Sequence, residues 1–135
     1  DMIENGSEAS AGNSFVYMIE YYLKEGDIFK VDSLLNLNIN VSDKVLNSRL
    51  LSLRGDLSFD RMEYNDAIDY YNKASRENPS VENEMAVKEI RVHIQTENNG
   101  KAEQMLNSLL EGKESLPYNI KNTCDVYLSM IKNRI

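Results

Sequence analysis

The sequence predicts an all-α protein of about seven helices arranged as antiparallel hairpins. From Asn13 onward the apolar residues recur at intervals of three and four, which is the period of an amphipathic helix. Helix breakers are rare in this stretch, because only Pro79 and Pro117 are prolines and glycines are few. A length of 135 residues suits one domain with a sizeable core. These observations favour a domain built from helices packed on helices.

The first twelve residues differ from the rest of the chain. Residues 1–12 (DMIENGSEASAG) mix glycine, serine, alanine and acids without sustained periodicity, so we predict a flexible leader or linker. The helical repeat domain is expected over residues 13–135. Its first helix is predicted at about Ser14 to Lys24, because Gly26 and Asp27 then supply a helix stop.

Six further helices follow from the same period and from the turn residues between them. The predicted positions are about Ile28 to Leu37, Lys44 to Phe59, Tyr64 to Glu77, a fifth helix capped by Ser80, a sixth after the turn Asn98-Asn99-Gly100, and Tyr118 to Asn133. Pairing consecutive helices gives hairpins at about 13–43, 44–79 and 80–116. A capping helix at 118–133 closes the series.

Spacing within these hairpins indicates a repeat. Two slots in successive second helices are each separated by 36 and then 35 residues: Val31, Ala67 and Ala102 in one slot, and Leu35, Tyr71 and Leu106 in the other. The turns between paired helices are expected at Gly26, at Met62, and at Asn99 or Gly100.

The middle hairpin resembles the tetratricopeptide repeat. The matching residues are Leu51, Gly55, Tyr64, Ala67, Tyr71, Ala74 and the terminal Pro79. The first hairpin departs from the pattern, with Ile19 in the glycine slot and Val31 in the alanine slot. The resemblance covers about residues 13–116 and implies a right-handed superhelical stack of helix hairpins, a solenoid. We expect Gly55 and Ala67 to face each other where the two middle helices cross.

The resemblance also implies a protein-binding function, as a chaperone, adaptor or scaffold. In this family the first helices of the hairpins line a concave surface that holds a peptide or a segment of a partner protein. Carried over slot by slot, the partner-binding residues would be Val16, Glu20, Leu23, Arg49, Ser52, Asp56, Phe59, Asp60, Arg91 and Ile94. An alternative is a peptide-sensing regulatory fragment whose effector domain lies outside this chain.

The nature of the partner follows from an apolar stripe flanked by acids. Leu23, Phe59 and Ile94 would form the stripe, with Glu20, Asp56 and Asp60 beside it. We therefore expect a partner with apolar anchors and some basic residues. The same stripe could instead be core beneath the next turn, and the sequence leaves both interpretations open.

Composition and motifs argue against other functions. A net charge of −7 repels phosphates, so direct nucleic-acid binding is not expected. The single His93, the single Cys124, and the lack of an HExxH, P-loop or GxGxxG motif favour neither an enzyme nor a bound metal or cofactor. The longest apolar runs, such as Leu50 to Leu53, are far below the ~20 residues needed for membrane insertion. Self-association stays open, and a cytoplasmic location is slightly favoured.

Overall fold

The computed structural model describes residues 2–37, 39–112 and 116–134. Within these ranges it contains seven α-helices and one short 3-10 helix, and no strand. The helices are α1 Met2–Glu25, α2 Ile28–Leu35, α3 Lys44–Asp60, α4 Tyr64–Glu77, α5 Glu82–Gln95, α6 Asn99–Gly112 and α7 Tyr118–Arg134, and the 3-10 turn is Pro79–Val81. The all-α prediction is therefore confirmed. No described helix combines the length and the apolar character that crossing a membrane requires.

The first helix begins much earlier than the sequence analysis predicted. Residues 2–12 are helical and belong to α1, whereas the sequence analysis began the first helix at about Ser14. Glu4, Glu8 and Ala9 are good helix formers, and their propensity helps to offset the cost of about 1 kcal/mol for a glycine in a helix interior. Lack of hydrophobic periodicity was a misleading signal here, because a helix can extend beyond its amphipathic part.

The chain divides into two compact units, residues 1–50 and 51–135. In the first unit α1 packs against α2, and Ile19 and Val31 are fully buried. A Cβ atom added to Gly12 would lie 2.8 Å from the Asn40 carbonyl oxygen and 3.3 Å from the Val41 Cα. Glycine at this position therefore lets the segment after α2 pass close to α1.

One turn geometry joins the paired helices of all three hairpins. Its central residues, Gly26, Met62 and Glu97, have φ angles of 79°, 63° and 61°. In each turn the following amide donates to a carbonyl five residues back: Asp27 to Tyr22 at 2.9 Å, Glu63 to Ser58 at 2.8 Å, and Asn98 to His93 at 2.7 Å. The central amide donates three residues back in each case. This is the Schellman arrangement, which satisfies the last carbonyls of a helix.

The turn centres repeat the spacing of 36 and 35 residues found in the sequence. The third centre is Glu97, whereas Asn99 and Gly100, predicted to form this turn, open α6. The predicted Ser80 cap is also wrong. The Asn78 side chain caps the 3-10 turn instead, accepting hydrogen bonds from the Ser80 amide at 3.2 Å and the Ser80 hydroxyl at 2.8 Å.

Among the described residues of the second unit, two apolar clusters both include residues of α5. One joins α4 to α5 and is formed by Ala67, Tyr71, Ala74, Met85 and Val92. The other joins α5 to α6 and α7 and is formed by Ile90, Ile94, Ala102, Leu106, Cys124 and Ile131. Helix α5 is thus buried on two faces, which restricts the part of it that can meet a partner.

The atoms nearest to Gly55 belong to Tyr71, a contact that the sequence analysis did not predict. A Cβ atom on Gly55 would lie 2.5 Å from Cε1 and 2.7 Å from Cδ1 of Tyr71, so the tyrosine ring occupies this space. Ala67 is fully buried in the α4–α5 cluster. The glycine is small because the Tyr71 ring lies directly over it.

Candidate partner-binding surface

The structure separates the predicted partner-binding residues into core and surface. Val16 is fully buried and Ile94 is only 5% exposed, so both are core residues and leave the predicted surface. Their apolar period was read correctly, but it could not show which face of each helix meets the interior. Leu23, Ser52 and Phe59 are partly exposed, and Asp60 is exposed.

In the first unit, Glu20 and Arg49 form an ion pair with each other. The sequence analysis predicted both as partner-binding residues and did not predict this pairing. Arg49 Nη2 donates to both Glu20 carboxylate oxygens, and Arg49 Nε donates to Oε2 at 3.2 Å. The hydrogen bond to Glu20 raises the pKa of Arg49. The guanidinium also lies 5.8 Å from the Tyr17 ring centre, and Tyr17 is 55% exposed. Glu20 therefore has its cation within the protein.

In the second unit, five residues of α3 and α5 form a partly exposed group that we call the α3–α5 surface. Its members are Ser52, Asp56 and Phe59 from α3, and Lys88 and Arg91 from α5. Lys88 Nζ donates to Asp56 at 3.1 Å (Oδ1) and 3.0 Å (Oδ2), and to Ser52 Oγ at 3.1 Å. Asp56 is thus paired as well, and Lys88 has three acceptors.

Tyr71 contacts the α3–α5 surface from the core of the second unit. Its ring is fully buried, and its hydroxyl donates to Asp56 Oδ1 at 2.7 Å. Burial raises the pKa of Tyr71 strongly, the bond to Asp56 adds to the rise, and the Arg91 guanidinium opposes it. The phenol therefore stays protonated and holds the carboxylate in place.

Arg91 and Phe59 contact each other on the α3–α5 surface, and Arg91 also interacts with the Tyr71 hydroxyl. The Arg91 guanidinium carbon lies 4.0 Å from the Phe59 ring centre, a stacked cation–π contact. Phe59 also contacts the Tyr64 ring edge to face, with centroids 5.7 Å apart. Arg91 Nε is buried without a hydrogen-bond partner. Among the described residues, no carboxylate lies within ion-pair distance of Arg91.

The sequence analysis missed Lys88 and Tyr71 as parts of this surface. Lys88 lies 36 residues after Ser52, so the repeat spacing was the signal that could have placed the two side chains together. Tyr71 was assigned to the core, which is correct for its ring. Only its hydroxyl contacts the Asp56 carboxylate, and no pattern in the sequence predicts this contact.

Other features of the described residues offer little chemistry. No group of three or more potential metal ligands occurs among them. His93 Nε2 lies 3.5 Å from Glu89 Oε2, and Cys124 is buried, which raises the pKa of its thiol. A cleft of about 370 Å³ lies between α5 and α6 and includes Ala86, Met105 and Leu109. It contains no arrangement that identifies a ligand.

No protein-family model, no curated protein and no solved structure matches the chain. The resemblance to the tetratricopeptide repeat therefore rests on the residues of the middle hairpin and on the repeated turn.

Proposed function

We propose that this chain binds a peptide or a segment of a partner protein, without a catalytic step, as a chaperone, adaptor or scaffold. The observation that carries the proposal is the Phe59–Arg91 contact, in which the two side chains pack on each other and are both partly exposed. Aromatic residues and arginine are enriched at protein interfaces and in their hot spots. Side chains that are ordered before binding lose less conformational entropy when a partner arrives.

The repeated turn supports the architecture in this proposal. Three hairpins with one turn geometry, spaced by 36 and 35 residues, follow the pattern of repeat proteins, whose neighbouring units create extended binding surfaces. Membership of the tetratricopeptide family and a right-handed superhelical stack are parts of the proposal. The step from this architecture to function is an analogy, so the side chains of the α3–α5 surface have to support it.

The ion pairs within the protein change the partner that we propose. Phe59 remains available as an apolar contact, in keeping with the expected apolar anchors. Of the three acids expected to attract basic residues, Glu20 and Asp56 are each paired with a cation of the protein, and Asp60 is exposed. The expectation of a partner with basic residues therefore loses most of its support.

Selection of short random peptides displayed on phage tests the proposal. The baits are the wild-type chain, Phe59→Ala, and Phe29→Ala as a matched control, because Phe29 is 83% exposed on α2. We expect peptides enriched on the wild type to bind Phe29→Ala equally and to bind Phe59→Ala much more weakly. Failure to enrich any peptide, or equal binding to both variants, would reject the proposed site. Circular dichroism checks folding, and Phe59→Leu serves as the bait if Phe59→Ala unfolds.

A further inference from the structure

We infer that the α3–α5 surface recognises an acidic side chain of the partner segment, and that Arg91 binds its carboxylate. The inference rests on the proposed function and names the chemistry of the ligand. It reverses the charge expected from the sequence, which placed basic residues on the partner.

The distribution of charges on this surface points to a carboxylate. Asp56 accepts hydrogen bonds from Lys88 and Tyr71, so its charge is largely compensated, and Lys88 is occupied by Asp56 and Ser52. Arg91 differs, since no described carboxylate pairs with it. An acidic group on the partner would complete the ion pair that the protein itself does not form. Such complementarity mainly determines specificity.

The geometry of Arg91 suits a carboxylate better than other anions or a neutral group. The Arg91 guanidinium carbon lies over the Phe59 ring, 4.0 Å from its centre, and the side chain is partly exposed. The N–H donors of a guanidinium lie in its plane. A guanidinium edge can donate two parallel hydrogen bonds to one carboxylate. Stacking on Phe59 also restricts the side chain, so a partner meets a preorganised donor.

The buried Nε atom adds a second, independent reason. Arg91 Nε has no hydrogen-bond partner, and an unsatisfied buried donor is unfavourable. A carboxylate beside the guanidinium would offer this donor an acceptor. Binding would therefore relieve a defect of the unbound protein. Phe59 would then contact the apolar part of the same partner segment.

The phage selection tests this inference when it includes two further baits, Arg91→Gln and Arg76→Gln. Arg76 is an exposed arginine in the last turn of α4, so the control removes the same charge from the same unit. Peptides displayed at the N-terminus of a coat protein have no free C-terminal carboxylate, so any selected acid is a side chain. We expect Asp or Glu next to an apolar residue on the wild type and on Arg76→Gln, and no acidic preference on Arg91→Gln.

Synthetic peptides then identify the contact. An amidated wild-type binder and its Glu→Gln (or Asp→Asn) analogue are measured against both proteins. We expect the analogue to bind the wild type about tenfold more weakly or worse, and Arg91→Gln to bind the two peptides equally. Binders without acids, or an unchanged peptide preference in Arg91→Gln, would overturn the inference alone. Absence of any enriched peptide would reject the proposed function as well.

Discussion

Tyr71 links the core of the second unit to its surface. The ring fills the space above Gly55, and the hydroxyl holds Asp56, which in turn holds Lys88. The sequence indicated that Gly55 is small and that Tyr71 is large and buried, but it paired Gly55 with Ala67. Periodicity assigns residues to a face of a helix and does not give the register of two helices against each other.

Replacing Gly55 with alanine tests this contact. The new methyl group would lie 2.5 Å from Tyr71 Cε1, so the ring or the helix has to shift. We expect the free energy of unfolding, measured by urea denaturation, to fall by about 1 to 3 kcal/mol. Gly100→Ala is the control, because no atom lies within 4 Å of its added Cβ and alanine favours helix. Equal stability of Gly55→Ala and the wild type would contradict the packing described here.

Tyr71→Phe should change how stability depends on pH at the alkaline end. Burial and the bond to Asp56 raise the pKa of Tyr71 above its ordinary value of about 10. Above this value the unfolded chain releases the proton before the folded protein does, so the free energy of unfolding falls as the pH rises; below it, this contribution is constant. The wild type should therefore lose more stability than Tyr71→Phe between about pH 9 and about pH 11.

Urea denaturation at several pH values measures this difference. Tyr118→Phe is the matched control, since Tyr118 is 83% exposed and its replacement should leave the alkaline loss of stability unchanged. Parallel curves for the wild type and Tyr71→Phe would show that the buried phenol does not make this contribution.

Among the structural elements, the repeated hairpin turn is the feature that sequence spacing anticipated best. The spacing of 36 and 35 residues appears in the second-helix slots and again in the turn centres. Only the first centre is a glycine. Met62 and Glu97 adopt the same left-handed conformation, which is unfavourable for residues with a Cβ atom. Glycine is therefore neither a necessary nor a sufficient signal for this turn: Glu97 forms the third turn, whereas Gly100, predicted to form it, lies in α6.

Met62→Gly should stabilise the protein. The left-handed conformation costs a non-glycine residue roughly 1 to 2 kcal/mol, and the added chain entropy of glycine offsets roughly 0.5 to 1 kcal/mol of that gain. Met62 is 74% exposed, so little packing is lost. We expect a rise of up to about 1 kcal/mol in the free energy of unfolding, measured by thermal or urea denaturation.

A substitution in the opposite direction, at the centre of the first hairpin turn, supplies the control. Gly26 has the same conformation, and no atom lies within 4 Å of an added Cβ, so Gly26→Ala introduces backbone strain alone. It should destabilise the protein by about 1 kcal/mol. If Met62→Gly were destabilising while Gly26→Ala behaved as expected, the Met62 side chain would have a role beyond the turn.

For the whole molecule, the sequence predicted the helical class and six of the seven helix starts to within about two residues, because periodicity and turn residues act locally. It placed Asp56, Phe59 and Arg91 on one surface by their repeat slots. It did not predict that Asp56 is paired with Lys88, or that Val16 and Ile94 are buried. Those facts depend on side-chain reach and on which helix covers which face, and both are set by packing between helices.

The net charge of −7 gives a last prediction for an acidic peptide obtained from the selection. At low salt the protein as a whole repels such a peptide, although Arg91 attracts its carboxylate at close range. Salt at about 0.15 M screens charges beyond about 8 Å, so it weakens the repulsion more than the contact. The association rate should therefore rise with salt.

Arg91→Gln should mainly speed dissociation and leave the salt dependence of association nearly unchanged. Stopped-flow or surface-binding kinetics at two salt concentrations measure both rates, and association that slows with salt would show that a local positive field around Arg91 and Lys88 dominates the encounter.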